Sequence, residues 1–135
     1  MSDDGKVAVV ACAGMDKPLG SVSTLSVFKV VGELRPKETT LITLPPLLAG
    51  VTLYVDLVKR FPVIVVDGCA ERCATKLIAK NGGRIRGRIL VPESVKKYGL
   101  TPNTAADVGS DGRKLAEKIA EEIGSLVDKI RGGQE

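Results

Sequence analysis

The chain has 135 residues, 44% hydrophobic and 27% charged, which fits one soluble globular domain whose core needs no staple. It has no His, so Ser-His-Asp and Cys-His catalysis, HExxH metalloprotease sites and Cys/His zinc fingers are excluded. No Trp, two Phe and two Tyr argue against an aromatic nucleic-acid platform, and a formal charge of only +4 is not the footprint of an obligate nucleic-acid binder.

In chain order, the acidic start Met1-Ser2-Asp3-Asp4 leads into Lys6–Cys12, a short apolar run expected to be a strand buried on both faces. Its apolar stretch Val7–Ala11 is too short for a signal peptide or a membrane span. A cytoplasmic location with reduced thiols is expected, where clustered Cys residues read as metal or redox sites. Leu19–Leu34 reads as a helix with Val22, Leu25, Val30 and Val31 inward, closed by Pro36. Thr39–Leu44 reads as the second strand. Pro45-Pro46 then opens a helix that carries Leu47, Leu48, Val51, Val55 and Val58 on one side.

Val63–Asp67 is the third strand, Ala70–Lys80 the helix after it, and Asn81-Gly82-Gly83 its stop. Arg86–Val91 is a weaker strand, expected at the sheet edge. Arg84, Arg86 and Arg88 alternate and are expected on one face. With Lys80, Lys96 and Lys97 they offer phosphate contacts, although solvated protection of an edge accounts for them better. The last helix carries the stripe Leu115, Ile119, Ile123, Val127 and Ile130, with Ser110 or Asp111 as cap. That stripe suits the core, and its register would also suit a homodimer contact.

Alternation of apolar strands with helices predicts an α/β fold: a three-layer, doubly wound parallel sheet of about four strands, flavodoxin- or Rossmann-like, in the order 2-1-3-4. Residues 6–131 are expected to form this single domain, with 1–5 and 132–135 as flexible termini.

In such sheets ligands bind at the carboxyl ends of the strands. Cys12 ends strand 1, Cys69 follows strand 3 by two residues, and Cys73 lies four further on, so adjoining strands 1 and 3 would bring all three sulfurs to one edge. The helix N-terminus, with Lys17, Arg72 and Lys76, is expected to favour thiolates, Cys69 above all. Gly14, Asp16, Lys17 and Gly68 form the accompanying ligand loop. Thiolates select zinc, copper(I) or iron–sulfur centres over hard cations. A phosphatase-type loop is ruled out because position 18 is Pro where an Arg is needed. Cys69 and Cys73 are not a Cys-x-x-Cys pair, and on a regular helix their separation is wider than a disulfide prefers.

Asp67-Gly68-Cys69-Ala70-Glu71-Arg72-Cys73-Ala74, with Cys12-Ala13-Gly14 after the first strand, resembles the DGC-domain family. Ile42–Gly50 is similar to the family's middle segment, which usually carries a further Cys where this chain has Thr43. The resemblance implies zinc held by cysteines, carried over here to Cys12, Cys69 and Cys73. Asp67, Thr43 or water is left for the fourth position. The expected partner is thus a metal ion or small ligand, with zinc first and an iron–sulfur cluster as the variant. Two other readings stay open: thiol redox chemistry by Cys69 with Cys73 or Cys12, and a small-anion module with incidental cysteines. Whether the protein is an enzyme is left open by the sequence.

Overall fold

Four strands, β1 (Val7–Ala11), β2 (Thr39–Ile42), β3 (Pro62–Asp67) and β4 (Arg84–Leu90), form one parallel sheet in the order β2-β1-β3-β4. This is the expected doubly wound order. The computed structural model describes residues 5–12 and 14–133, so the parts of the expected flexible termini at 1–4 and 134–135 lie outside the described residues. β1 and β3 are central, and from Val7 to Ala11 and Val63 to Asp67 every residue is buried. Unbroken β-branched runs suit this position because neither strand has a solvent face.

Alternate strand residues feed two cores. Val7, Val9, Ile64 and Val66 pack with α1 (Pro18–Lys29) and α6 (Gly109–Arg131). Ala8, Val10, Val63 and Val65 pack with α2 (Leu44–Leu48), α3 (Thr52–Arg60) and α4 (Cys73–Lys80). The result is three layers, with helices on both faces of the parallel sheet. The α6 stripe Leu115, Ile119, Ile123 and Val127 is fully buried, so it is core and not a face for a second copy.

Several boundaries differ from the expected ones for local reasons. The first helix runs as α1 and then widens into a π-helical turn over Val30–Leu34, ended by Arg35 N–H on the Val30 carbonyl five residues back at 2.8 Å. Val22 and Val30 face inward as expected, with Val31 packed against the same core; Ser23, Ser26 and Val27 join them, while Leu25 faces out. The Pro45-Pro46 helix breaks at Gly50, whose φ of +77° only glycine adopts freely, so α2 and α3 are separate and Leu48 and Val51 are exposed. The helix expected from Ala70 begins only at Cys73, behind Arg72 in the left-handed region (φ +57°). α5 (Val91–Tyr98) is an additional helix, started by Pro92 and stopped by left-handed Gly99. α6 starts at Gly109 with no side-chain cap from Ser110 or Asp111; Asp107 Oδ1 accepts the Gly109 N–H at 3.1 Å.

β4 lies at the sheet edge, as expected, but its arginines do not share one face. Val63 pairs with Ile85 and Ile64 with Gly87, so Arg86 is an extra residue in a bulge. Arg84 is level with Pro62 and Arg88 with Val65, residues of opposite parity in β3, so the two point to opposite sides. Among the described residues no helix is long and apolar enough to cross a membrane.

Candidate functional site

The site lies where β1, β2 and β3 end. The last β1–β2 rung pairs Val10 with Ile42, so Cys12 and Thr43 stand just beyond it on adjacent strands. The Cys12 N–H donates to the Val66 carbonyl of β3 at 3.0 Å, which places Cys12 directly against the Asp67-Gly68-Cys69 turn. Cys12 is half-buried, Cys69 and Cys73 are exposed, and no disulfide joins them.

Glycines let the three segments touch. A Cβ on Gly68 would lie 2.8 Å from the Cys12 sulfur and 3.0 Å from the Gly20 backbone. A Cβ on Gly20 would sit 1.9 Å from the Gly14 carbonyl oxygen. No side chain fits at either place, so Gly20 and Gly68 are spacing residues that seat α1 against both loops. The Cys12 sulfur is 3.5 Å from the Ser23 hydroxyl, which donates to the Gly20 carbonyl at 2.6 Å.

Asp67 is buried and turned toward α4. Its Oδ1 accepts the Ala74 and Thr75 N–H groups at 3.0 and 3.3 Å, and its Oδ2 accepts the Thr75 hydroxyl. The carboxylate thereby satisfies N–H groups that a helix start leaves without partners. It acts as the α4 cap, a few residues displaced from the usual position.

Cys69 sits in the turn before α4, whose Arg72 N–H donates to the Cys69 carbonyl at 3.1 Å. The pair was expected one helical turn apart; the left-handed Arg72 instead leaves Cys69 off the helix. Desolvation pushes the Cys73 thiol up, and Cys69 adds to this as a like charge and hydrogen-bonding neighbour. Lys76 pulls it down and Cys12 raises it slightly. The net direction at Cys73 is therefore toward the thiol, against the expected thiolate-favouring helix start. Both other cysteines thus lie near enough to bear on Cys73.

A family model for the DGC domain matches residues 8–127. The chain belongs to the DGC-domain family. No curated protein and no solved structure matches it.

The DGC motif now has a physical reading in this chain. Asp67 caps α4, Gly68 admits the Cys12 sulfur and the Gly20 backbone, and Cys69 is presented on the exposed turn. Of the expected site residues, the fold brings Cys12, Cys69, Cys73, Gly14 and Gly68 to one sheet edge. Asp16 and Lys17 lie exposed on the β1–α1 loop; Ala13, within that loop, lies outside the described residues. Thr43 is exposed at the neighbouring strand end. Among the described residues no group of three or more Cys, Asp or Glu side chains is gathered tightly enough to hold a metal ion. The donor chemistry suits a soft cation, whereas the side chains as placed make an exposed pair with a half-buried third thiol beside it.

Gly20 and Ser23 are site residues that sequence reasoning missed. A serine on an apolar helix reads as outward-facing, and the i, i+3, i+4, i+7 series 23, 26, 27 and 30 marks an inward face beside the buried Val22. A cleft of about 520 Å3 lies on the outer side of α1, between Met15, Leu25, Val108 and Arg113. It is lined by none of the cysteines.

Proposed function

We propose that the protein binds a thiophilic metal ion, zinc in the first place, at the carboxyl edge of its sheet through Cys12, Cys69 and Cys73. The observation that supports this is the convergence of all three cysteines on adjoining strand ends in a DGC-domain chain. Cys69 and Cys73 form the accessible pair and Cys12 the anchored third ligand. Thiolates are the donors that zinc shares with softer metals, and with no His in the chain they are its strongest donors for such ions. Asp67 is engaged by α4, so the fourth position falls to water or an external ligand, with Thr43 at the adjoining strand end. A bound zinc ion in such an open site would act as a Lewis acid toward that ligand.

One observation favours a second reading. Because Cys69 stands off the helix, the spacing argument against a Cys69–Cys73 disulfide no longer holds. In that chemistry the Cys69 thiolate attacks an incoming disulfide and expels one thiol; Cys73 then displaces the second. The cysteine pair loses two electrons and two protons, and the incoming disulfide becomes two thiols.

Metal analysis of protein purified without added zinc, with thiol counts before and after chelation, separates the two. About one equivalent of zinc, with thiols released by the chelator, is expected. Cys69→Ser should abolish the zinc content, and unchanged content would remove Cys69 from the site. Absence of metal together with a thiol count that rises on reduction would establish the redox reading instead.

A further inference from the structure

Ser23 is a fully buried polar residue on the inward face of α1. Its hydroxyl donates to the Gly20 carbonyl at 2.6 Å, one turn back, and lies 3.5 Å from the Cys12 sulfur. We propose that Ser23 is the positioning residue of the thiol site, tethering the Cys12 sulfur at the sheet edge to which Cys69 and Cys73 also belong. The proposal rests on the metal-binding reading for its purpose, though not for its geometry.

A hydroxyl carries one proton and two acceptor lone pairs. While its proton lies on the Gly20 carbonyl, Ser23 accepts the Cys12 S–H. A sulfur that holds a metal has no proton to give, and the Ser23 hydroxyl must then turn to donate to it. The Gly20 carbonyl is not orphaned by that turn, because the Thr24 hydroxyl also donates to it at 3.3 Å. The sulfur is also crowded by Gly68, where a Cβ would approach to 2.8 Å. The sulfur thus has a glycine that admits it and a hydroxyl that bonds it in either state. Outer partners of this kind orient first ligands and tune their affinity.

Serines that bond back to a carbonyl within a helix are common, so a purely structural role needs its own control. Ser26 supplies it. Ser26 is equally buried and donates to the Ser23 carbonyl at 2.7 Å, in the same back-bonded form one turn further on.

The experiment compares Ser23→Ala with Ser26→Ala in metal-free protein titrated with cobalt(II) and then zinc(II). The sulfur-to-cobalt absorption should fall from three thiolates to two in Ser23→Ala only. Zinc affinity should drop roughly tenfold in that variant and stay unchanged in Ser26→Ala. If both variants retain the wild-type band and affinity, or change alike, Ser23 is a structural serine and the proposal is overturned. If the wild type takes up neither metal, the metal-binding reading fails, and the tether is tested by itself. In a Cys69→Ser/Cys73→Ser background, N-ethylmaleimide should then modify Cys12 several-fold faster with Ser23→Ala than with Ser26→Ala. Equal rates in that background overturn the proposal.

Discussion

Asp67 grips Thr75 twice, taking its N–H on Oδ1 at 3.3 Å and its hydroxyl on Oδ2, and so ties the end of β3 to the start of α4. The turn that carries Cys69 is strung between these two anchors. Asp67→Ala removes a buried acceptor and leaves the Ala74 and Thr75 donors without it, a loss expected at roughly 2–4 kcal/mol. Asp67→Asn keeps one oxygen and should lose about half as much. Urea denaturation checks both; a loss below about 0.5 kcal/mol in the alanine variant would mean that α4 is held by other contacts.

Gly68→Ala tests the close approach of three segments. Its Cβ would meet the Cys12 sulfur at 2.8 Å and the Gly20 nitrogen and Cα at 3.0 Å, and the backbone of α1 cannot give way as a flexible side chain would. Overpacking of this kind costs about 1–3 kcal/mol. At Gly32, by contrast, a Cβ meets nothing within 4 Å, and Ala there should be neutral or stabilising by about 0.5–1 kcal/mol. The thermal midpoint should fall in Gly68→Ala and hold or rise in Gly32→Ala, and an equal fall in both would refute the packing argument.

The far end of the fold carries a charge pair with a definite pH signature. Arg35 holds Asp128 through two donors, Nε to Oδ1 at 2.8 Å and Nη2 to Oδ2 at 2.7 Å, joining the end of the π-helical turn to α6. The guanidinium holds the Asp128 carboxyl below its ordinary range. A depressed folded value means that the stabilisation is fully present above the unfolded aspartate value, about 3.9, and is lost as pH falls through the folded one. Asp128 is 58% exposed, so solvent screening keeps the effect below about 1 kcal/mol. Asp128→Asn should therefore be less stable than wild type at pH 7, with the gap closing as pH is lowered toward 2. A gap that persists in acid would show that the pair's charge is not its source.

The thiol edge was legible because a parallel sheet puts the carboxyl ends of all its strands on one side, and Cys12 and Cys69 follow two strand-like runs. What escaped reading depended on single residues. The bulge at Arg86 adds one residue to a strand and so reverses the face of everything after it, which strict alternation hides. The left-handed conformation of Arg72 moved the helix start from Ala70 to Cys73, and an arginine gives no warning of it. Ser23 and Ser26 face inward because their hydroxyls bond to carbonyls in their own helix, which lets a polar side chain sit in an apolar layer. α5 has eight residues, and Pro92 at its start reads as a breaker unless the left-handed Gly99 is recognised as its stop.

Thr43 offers the most direct test of the metal-binding reading. It stands exposed at the end of β2, one residue beyond the rung that pairs Ile42 with Val10, while Cys12 stands two beyond it on β1. A cysteine at this position would add a fourth soft donor on a neighbouring strand end, without disturbing a core contact. Four thiolates make the closed form of a zinc site, whereas three leave one position open. Thr43→Cys should therefore tighten zinc binding by on the order of tenfold or more, since ligand number sets the binding free energy. Thr43→Ser, which adds no thiol, should leave affinity at the wild-type level. Competition against a chromophoric chelator measures both. A cysteine variant no tighter than the serine variant would place position 43 outside the metal's reach.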